Sequence, residues 1–299
     1  MKSTPLSSPN GKSLPVLPPL SGLCSFEKAC QPGLPVATCV SRLKRFHYTL
    51  WRLHQIMIAH IAEEPRYELK MAFSHHGFLA AENDTNFRTR IGEMREPPLG
   101  LEALPHPALG VFFDEILATP SSAERVIGLY EKAFPALRTA LQNYLKESHP
   151  LADAPSIRLC RLALVDLEDI CDYGEQVVAA LVPDELRTES AQWISLLDVC
   201  LAAAGGLDGS AKSSAGAEPL RHYSSQPFVY AGEPRRDERF PDPFNMGVNA
   251  EAFLYDETKP AEAKVLMMFY KRLREIDVPE MMSSIITETK GKPWSYHRD

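Results

Sequence analysis

Between Ile157 and Leu181, apolar residues recur every three or four positions: Cys160, Ala163, Leu164, Leu167, Ile170, Cys171, Gly174, Val177 and Val178. That spacing lines one face of an α-helix; a strand would alternate every second residue. Glu168, Asp172 and Glu175 line another side at i, i+4 and i+7. A stripe this long must be covered by other elements, so the chain has to pack helix on helix.

The same signature returns along the chain. Leu43 to Ala62 carries Phe46, Leu50, Leu53, Met57 and Ile61, and His47, Trp51, His54 and Ile58 widen the stripe, which predicts a mostly buried helix. Pro65 suits the start of a second helix, from about Arg66 to Met94, with Leu69, Phe73, His76, Ala80, Asn83 and Phe87 on one face. Further helices are expected over Ala108–Leu117, over a serine-capped run in which Pro135 kinks or divides the rod, and over Gln192–Ala204, ended by Gly205 and Gly206. Helical pattern resumes over Pro260–Ile276, with Val265, Phe269, Leu273 and Ile276 on one face, and over Pro279–Thr289. There is no run of alternating strands, no glycine-rich phosphate loop and no fixed-period repeat. The expected fold class is all-α: an antiparallel helical bundle with additional C-terminal helices.

The prolines and serines set the domain limits. Residues 1–36 read as a disordered Pro/Ser-rich tail, 37–206 as the bundle, 207–247 as a linker with an irregular proline-rich segment, and 248–299 as a C-terminal helical pair, part of an incomplete second bundle half. The aromatic residues of "RHYSSQPFVYAGEPRRDERFPDPFNMG" predict an ordered segment lying on another surface. The net charge of −7 argues against non-specific binding to nucleic acid, which needs a basic surface. No apolar run is long enough for a membrane span, and the N-terminus lacks the core of a secretory signal. Six cysteines, none in CxxC spacing, read as reduced thiols in a cytoplasmic protein.

Bundles carry metal chemistry through carboxylates and Glu-x-x-His pairs, whose i, i+3 spacing aims both side chains at one ion. No Glu-x-x-His or Asp-x-x-His occurs in the 299 residues. Glu102/His106 and Glu218/His222 are four apart but sit in proline-containing loops. In "SHHGFLAAEN", His75 and Glu82 are seven apart, about 10.5 Å along a helix, too far for one ion. His76 and Asn83 have the same separation and suit two polar groups along a pocket.

The stretch "EEPRYELKMAFSHHGFLAAENDTNFRTRIGEM" resembles the second helix of a ferritin-like superfamily group, in which a Tyr-Glu-x-Lys start leads to a Glu-Asp-Ala-x-His segment. In that alignment Leu79 stands for the ligand glutamate and Asn83 for the histidine. "PSIRLCRLALVDLEDICDYGEQ" resembles the other ligand helix; its acidic run Asp166-Leu167-Glu168-Asp169 meets Ile170 where the histidine would stand. The first helix has no acidic residue from Leu43 to Ala62. The resemblance spans about residues 40–183 and implies a ferritin-like di-metal carboxylate bundle whose ligand positions are degenerate. The segment from Asn249 to Asp299 resembles a helix pair that, in related proteins, leads into a further helix with a Glu-x-x-His segment.

Three readings follow. The first is a non-catalytic ferritin-like scaffold that binds a small molecule or a partner, a second copy in a homodimer being one such partner, with no metal and no other cofactor. The second is a di-iron or di-manganese oxidase or hydroxylase with atypical ligands. The third is a fragment whose chemistry needs residues beyond 299. The pocket candidates are His54, His76, Glu82, Asn83, Asp166 and Asp169.

Overall fold

A computed structural model describes residues 17–95, 97–213, 219–240, 249–289 and 291–298. The N-terminal tail expected over 1–36 lies outside these residues up to position 16, as do Glu218 and residues 241–248 of the irregular segment. The described residues are helical or irregular, with no strand among them.

Helix α1 (Val36–Ala59) and helix α2 (Tyr67–Met94) form the most extensive helix pair. The connection between them is short, so α2 runs back along α1. After α3 (Pro107–Leu117), one helical rod is built from α4 (Ser122–Val126), a π-helical stretch over Ile127–Ala133, and α5 (Phe134–Glu147). Pro135 neither breaks nor divides this rod. It falls at the first turn of α5, where its missing N–H costs little, and the turn just before it is widened instead. Helix α6 (Ala154–Leu181) follows, then α7 (Asp184–Glu189) and α8 (Ala191–Ala203). The contacts α1–α2, α2–α6, α6–α5 and α5–α1 close a ring of four helices.

The core inside the ring has two aromatic layers. Phe46 of α1 meets Phe87 of α2 and Tyr144 of α5 edge-on at 5.8 and 5.7 Å. The Tyr144 hydroxyl donates to Asp153 Oδ2 at 2.6 Å, which satisfies its polar end. The second layer gathers His76, Tyr130, Phe134 and Tyr173. Here α6 reaches the π-helical stretch so closely that a Cβ on Gly174 would stand 2.6 Å from Tyr130 Cβ, so glycine is required. Edge-on aromatic contacts add about 0.5–1.5 kcal/mol each beyond burial.

The segment from 219 to 240 lies against the bundle through its backbone. Glu115 of α3 is fully buried and accepts from the N–H groups of His222, Tyr223 and Ser224 at 2.7, 2.9 and 3.2 Å, and from Ser224 Oγ at 2.6 Å. Further on, Lys70 Nζ of α2 donates to the carbonyls of Ala62 and Arg235.

The C-terminal part comprises α9 (Ala250–Tyr255), α10 (Ala261–Arg274), α11 (Asp277–Glu288) and α12 (Trp294–Arg298). The ring is joined to it by α11, packed on α1, and by α12, which touches α2. The joint has an ionic clasp: buried Glu280 of α11 takes Lys70 Nζ and, at 3.1 and 2.5 Å, the Arg236 guanidinium. Arg236 also holds Asp277 at 2.8 Å. Two cations around two carboxylates leave the buried cluster balanced, the condition under which burying it is tolerable. No helix of the described residues is long and apolar enough to cross a membrane.

Candidate functional site

Where α1 faces the C-terminal segment, a cavity of about 1060 Å³ opens. Trp51, His54 and Ile58 of α1 form its floor, Phe228 and Tyr230 one wall, and Trp294 and His297 another, with Arg88 and Glu102 beside them. Trp294 is fixed from behind: its Nε1 donates to Thr85 Oγ1 at 2.9 Å, and the Arg88 guanidinium lies 5.5 Å from its ring centroid. The Arg88 and Glu102 charges meet at 3.6 Å.

His54 is the polar centre of this floor and is only 4% exposed. Its Nδ1 stands 3.0 Å from the carbonyl oxygen of Gly77. A carbonyl only accepts, so Nδ1 carries the proton and, in the neutral ring, Nε2 presents a lone pair. A Cβ at Gly77 would come 3.1 Å from Ile58 Cδ1, which would have to give by a few tenths of an ångström. Burial pushes the His54 pKa down, the Gly77 hydrogen bond opposes this, and nearby His297 adds to it. The ring is therefore neutral at pH 7. His54 lines the cavity, and its Nε2 is buried and has no hydrogen-bond partner. Such an orphan acceptor costs about 1–3 kcal/mol.

The other sequence candidates fall in separate environments. His76 lies in the second aromatic layer, where Nδ1 meets the Tyr130 hydroxyl at 2.9 Å; burial, reinforced by His75, pushes its pKa down to about 4. Asn83 Nδ2 donates to Asp166 Oδ2 at 2.7 Å and to the Leu79 carbonyl at 3.0 Å. Asn83 and Asp166 are thus brought together as a hydrogen-bonded pair between α2 and α6. Glu82 and Asp169 are exposed. Among the described residues, no group of three or more His, Cys, Asp and Glu side chains is placed to hold a metal ion. The loop pair Glu102/His106 is also divided in role: Glu102 borders the cavity, while His106 caps α3 by accepting from the Ala108 N–H.

Arg88, Trp294 and His297 belong to no sequence pattern that marks a site. Arg88 reads as one more polar residue of α2. The one signal in "GKPWSYHRD" is a tryptophan placed just after a Gly and a Pro, which marks an aromatic held in an irregular turn. A second residue that periodicity does not mark is Glu115, which follows Asp114 in a mostly apolar helix and is buried there as an anchor.

Comparison of the chain with family models, curated proteins and solved structures gave no match in any of the three.

Proposed function

We propose that this chain is a ferritin-like helical scaffold that binds a small aromatic molecule in the cavity over α1, through a hydrogen bond donated to His54 Nε2. The observation that carries this reading is the neutral ring of His54, a residue lining a cavity of about 1060 Å³, whose Nε2 is buried there without a hydrogen-bond partner. An acceptor of this kind selects an O–H or N–H donor, and the Trp51 and Trp294 rings favour a flat apolar body. Phenols and indoles meet both requirements. The closed ring of α1, α2, α5 and α6, with a long connection from α2 to the next ring helix, supports the ferritin-like part of the reading. The spread of His54, His76, Glu82, Asp169 and the Asn83–Asp166 pair over separate environments favours ligand binding over the di-iron or di-manganese oxidase alternative. We place the protein in the cytoplasm, where its free cysteines, four of them buried, would stay reduced.

The test is calorimetric titration with phenol and indole, and with toluene as a donor-free control, into the wild-type chain and His54→Phe. One neutral hydrogen bond of about 1 kcal/mol corresponds to roughly fivefold in affinity. Phenol should therefore bind about fivefold more tightly than toluene, and the preference should vanish in His54→Phe while the helical circular dichroism is unchanged. Equal binding of phenol and toluene to the wild type would remove the donor requirement. Metal content of protein grown with added iron and manganese is the second readout: close to two equivalents per chain would restore the oxidase reading.

A further inference from the structure

Helix α10 is packed on one side only. Its partner is α9, and no other helix among the described residues makes more than marginal contact with it. Ala263, Lys264, Met267 and Lys271, partly covered, mark the side turned to α9, and Lys271 Nζ meets Glu251 Oε1 there at 2.5 Å. At about 100° per residue, the centre of this side is about 170° from the line through Val265 and Phe269. That opposite side is apolar and open: Val265 is 54% exposed, Leu266 68% and Phe269 66%. Glu262 stands at its N-terminal end and Arg272 at its C-terminal end, both exposed. Such a contiguous apolar face with charged ends is uncommon on a surface that stays in water.

We propose that this face is a two-fold interface between two copies of this chain, α10 packed antiparallel on α10. The charge order selects this occupant. With the axis at the level of Met267, Glu262 of each copy meets Arg272 of the other and Val265 meets Phe269. A parallel pair would place Glu262 on Glu262 and Arg272 on Arg272. Two-fold pairing makes each contact twice, which is how a self-complementary patch closes into a dimer without growing into a fibre. Arg272 reaches Glu275, just past the end of the helix, at 2.9 Å, an exposed pair whose exchange for Glu262 of the second copy would cost little. Helix α10 has 14 residues, about 21 Å of contact length. A contact one helix wide and of that length covers less than the roughly 800 Å² per partner of standard interfaces, so a weak dimer is expected.

Sedimentation velocity on the full chain, from roughly 1 to 100 µM, tests this. The wild type should shift from monomer to dimer across that range. Phe269→Glu should stay monomeric with unchanged helical circular dichroism, because Phe269 is exposed and touches no core. Glu262→Lys and Arg272→Glu should each weaken the dimer severalfold, and the two together should restore it. A wild type that stays monomeric throughout, or a Phe269→Glu variant that dimerises as well as the wild type, overturns the proposal. A dimer lost in Phe269→Glu but not rescued by the double exchange overturns the antiparallel register.

Discussion

Helices α1 and α10 present the same kind of apolar stripe in sequence and opposite fates in the fold. On α1 the stripe of Leu43, Phe46, Leu50, Leu53 and Met57 is buried within the ring, and even His47, Thr49 and His54 are covered. On α10 the expected stripe is open at Val265 and Phe269, Ile276 just beyond its end is buried, and Leu273 lies outside the residues whose side chains are described. Periodicity states where a helix wants a neighbour. Whether one is present depends on how many other helices reach that face: α1 is met by α2, α3, α5 and α11, α10 by α9.

The contrast can be broken by mutation, and the largest effects belong to the buried side. Phe46→Ala should destabilise by about 3–5 kcal/mol in urea titration, since it removes the ring on which both Phe87 and Tyr144 pack. Glu280→Ala should cost a similar amount, about 3–5 kcal/mol, because it takes the carboxylate from buried Lys70 and one of two carboxylates from Arg236. The two differ in reach. Hydrogen exchange should show Phe46→Ala loosening the ring, and Glu280→Ala loosening Asp277–Glu288 first, because the clasp joins α11 to the bundle.

A smaller effect follows pH. His76 has its pKa pushed down to about 4 in the folded chain, below the value of an unfolded histidine. Between those two values the unfolded chain binds the extra proton, so stability is retained above about pH 6.5 and declines as pH falls toward 4. By pH 4.5 this one group should remove about 2 kcal/mol. Thermal unfolding of the wild type against His76→Gln between pH 7 and 4.5 measures it: the variant should have the shallower slope, and parallel slopes would refute the assignment. The smallest change should come from the open side. Phe269→Ala, measured well below the concentration at which the chain self-associates, should alter unfolding by no more than about 0.5 kcal/mol.

Much of the fold was written in the residues. The stripes of α1, α2 and α6, the proline and glycine stops and the absence of alternation determined an all-helical chain, because local backbone preference and one-face burial act over only a few turns. They also brought His54 into the candidate set, as a polar interruption of an apolar stripe. Which of the six candidates met was decided only in three dimensions. Asn83 and Asp166 are 83 positions apart and share a hydrogen bond across α2 and α6, while His76 turned to Tyr130 and left Asp166 to others. The cavity over His54 needs Phe228, Tyr230 and Trp294 from segments distant in sequence, and the clasp joins Lys70 to Glu280 across 210 positions. A helical stripe is a short-range property with a fixed period. A cavity and a buried charge pair are long-range ones, set by which surfaces meet, and no period in the chain encodes them.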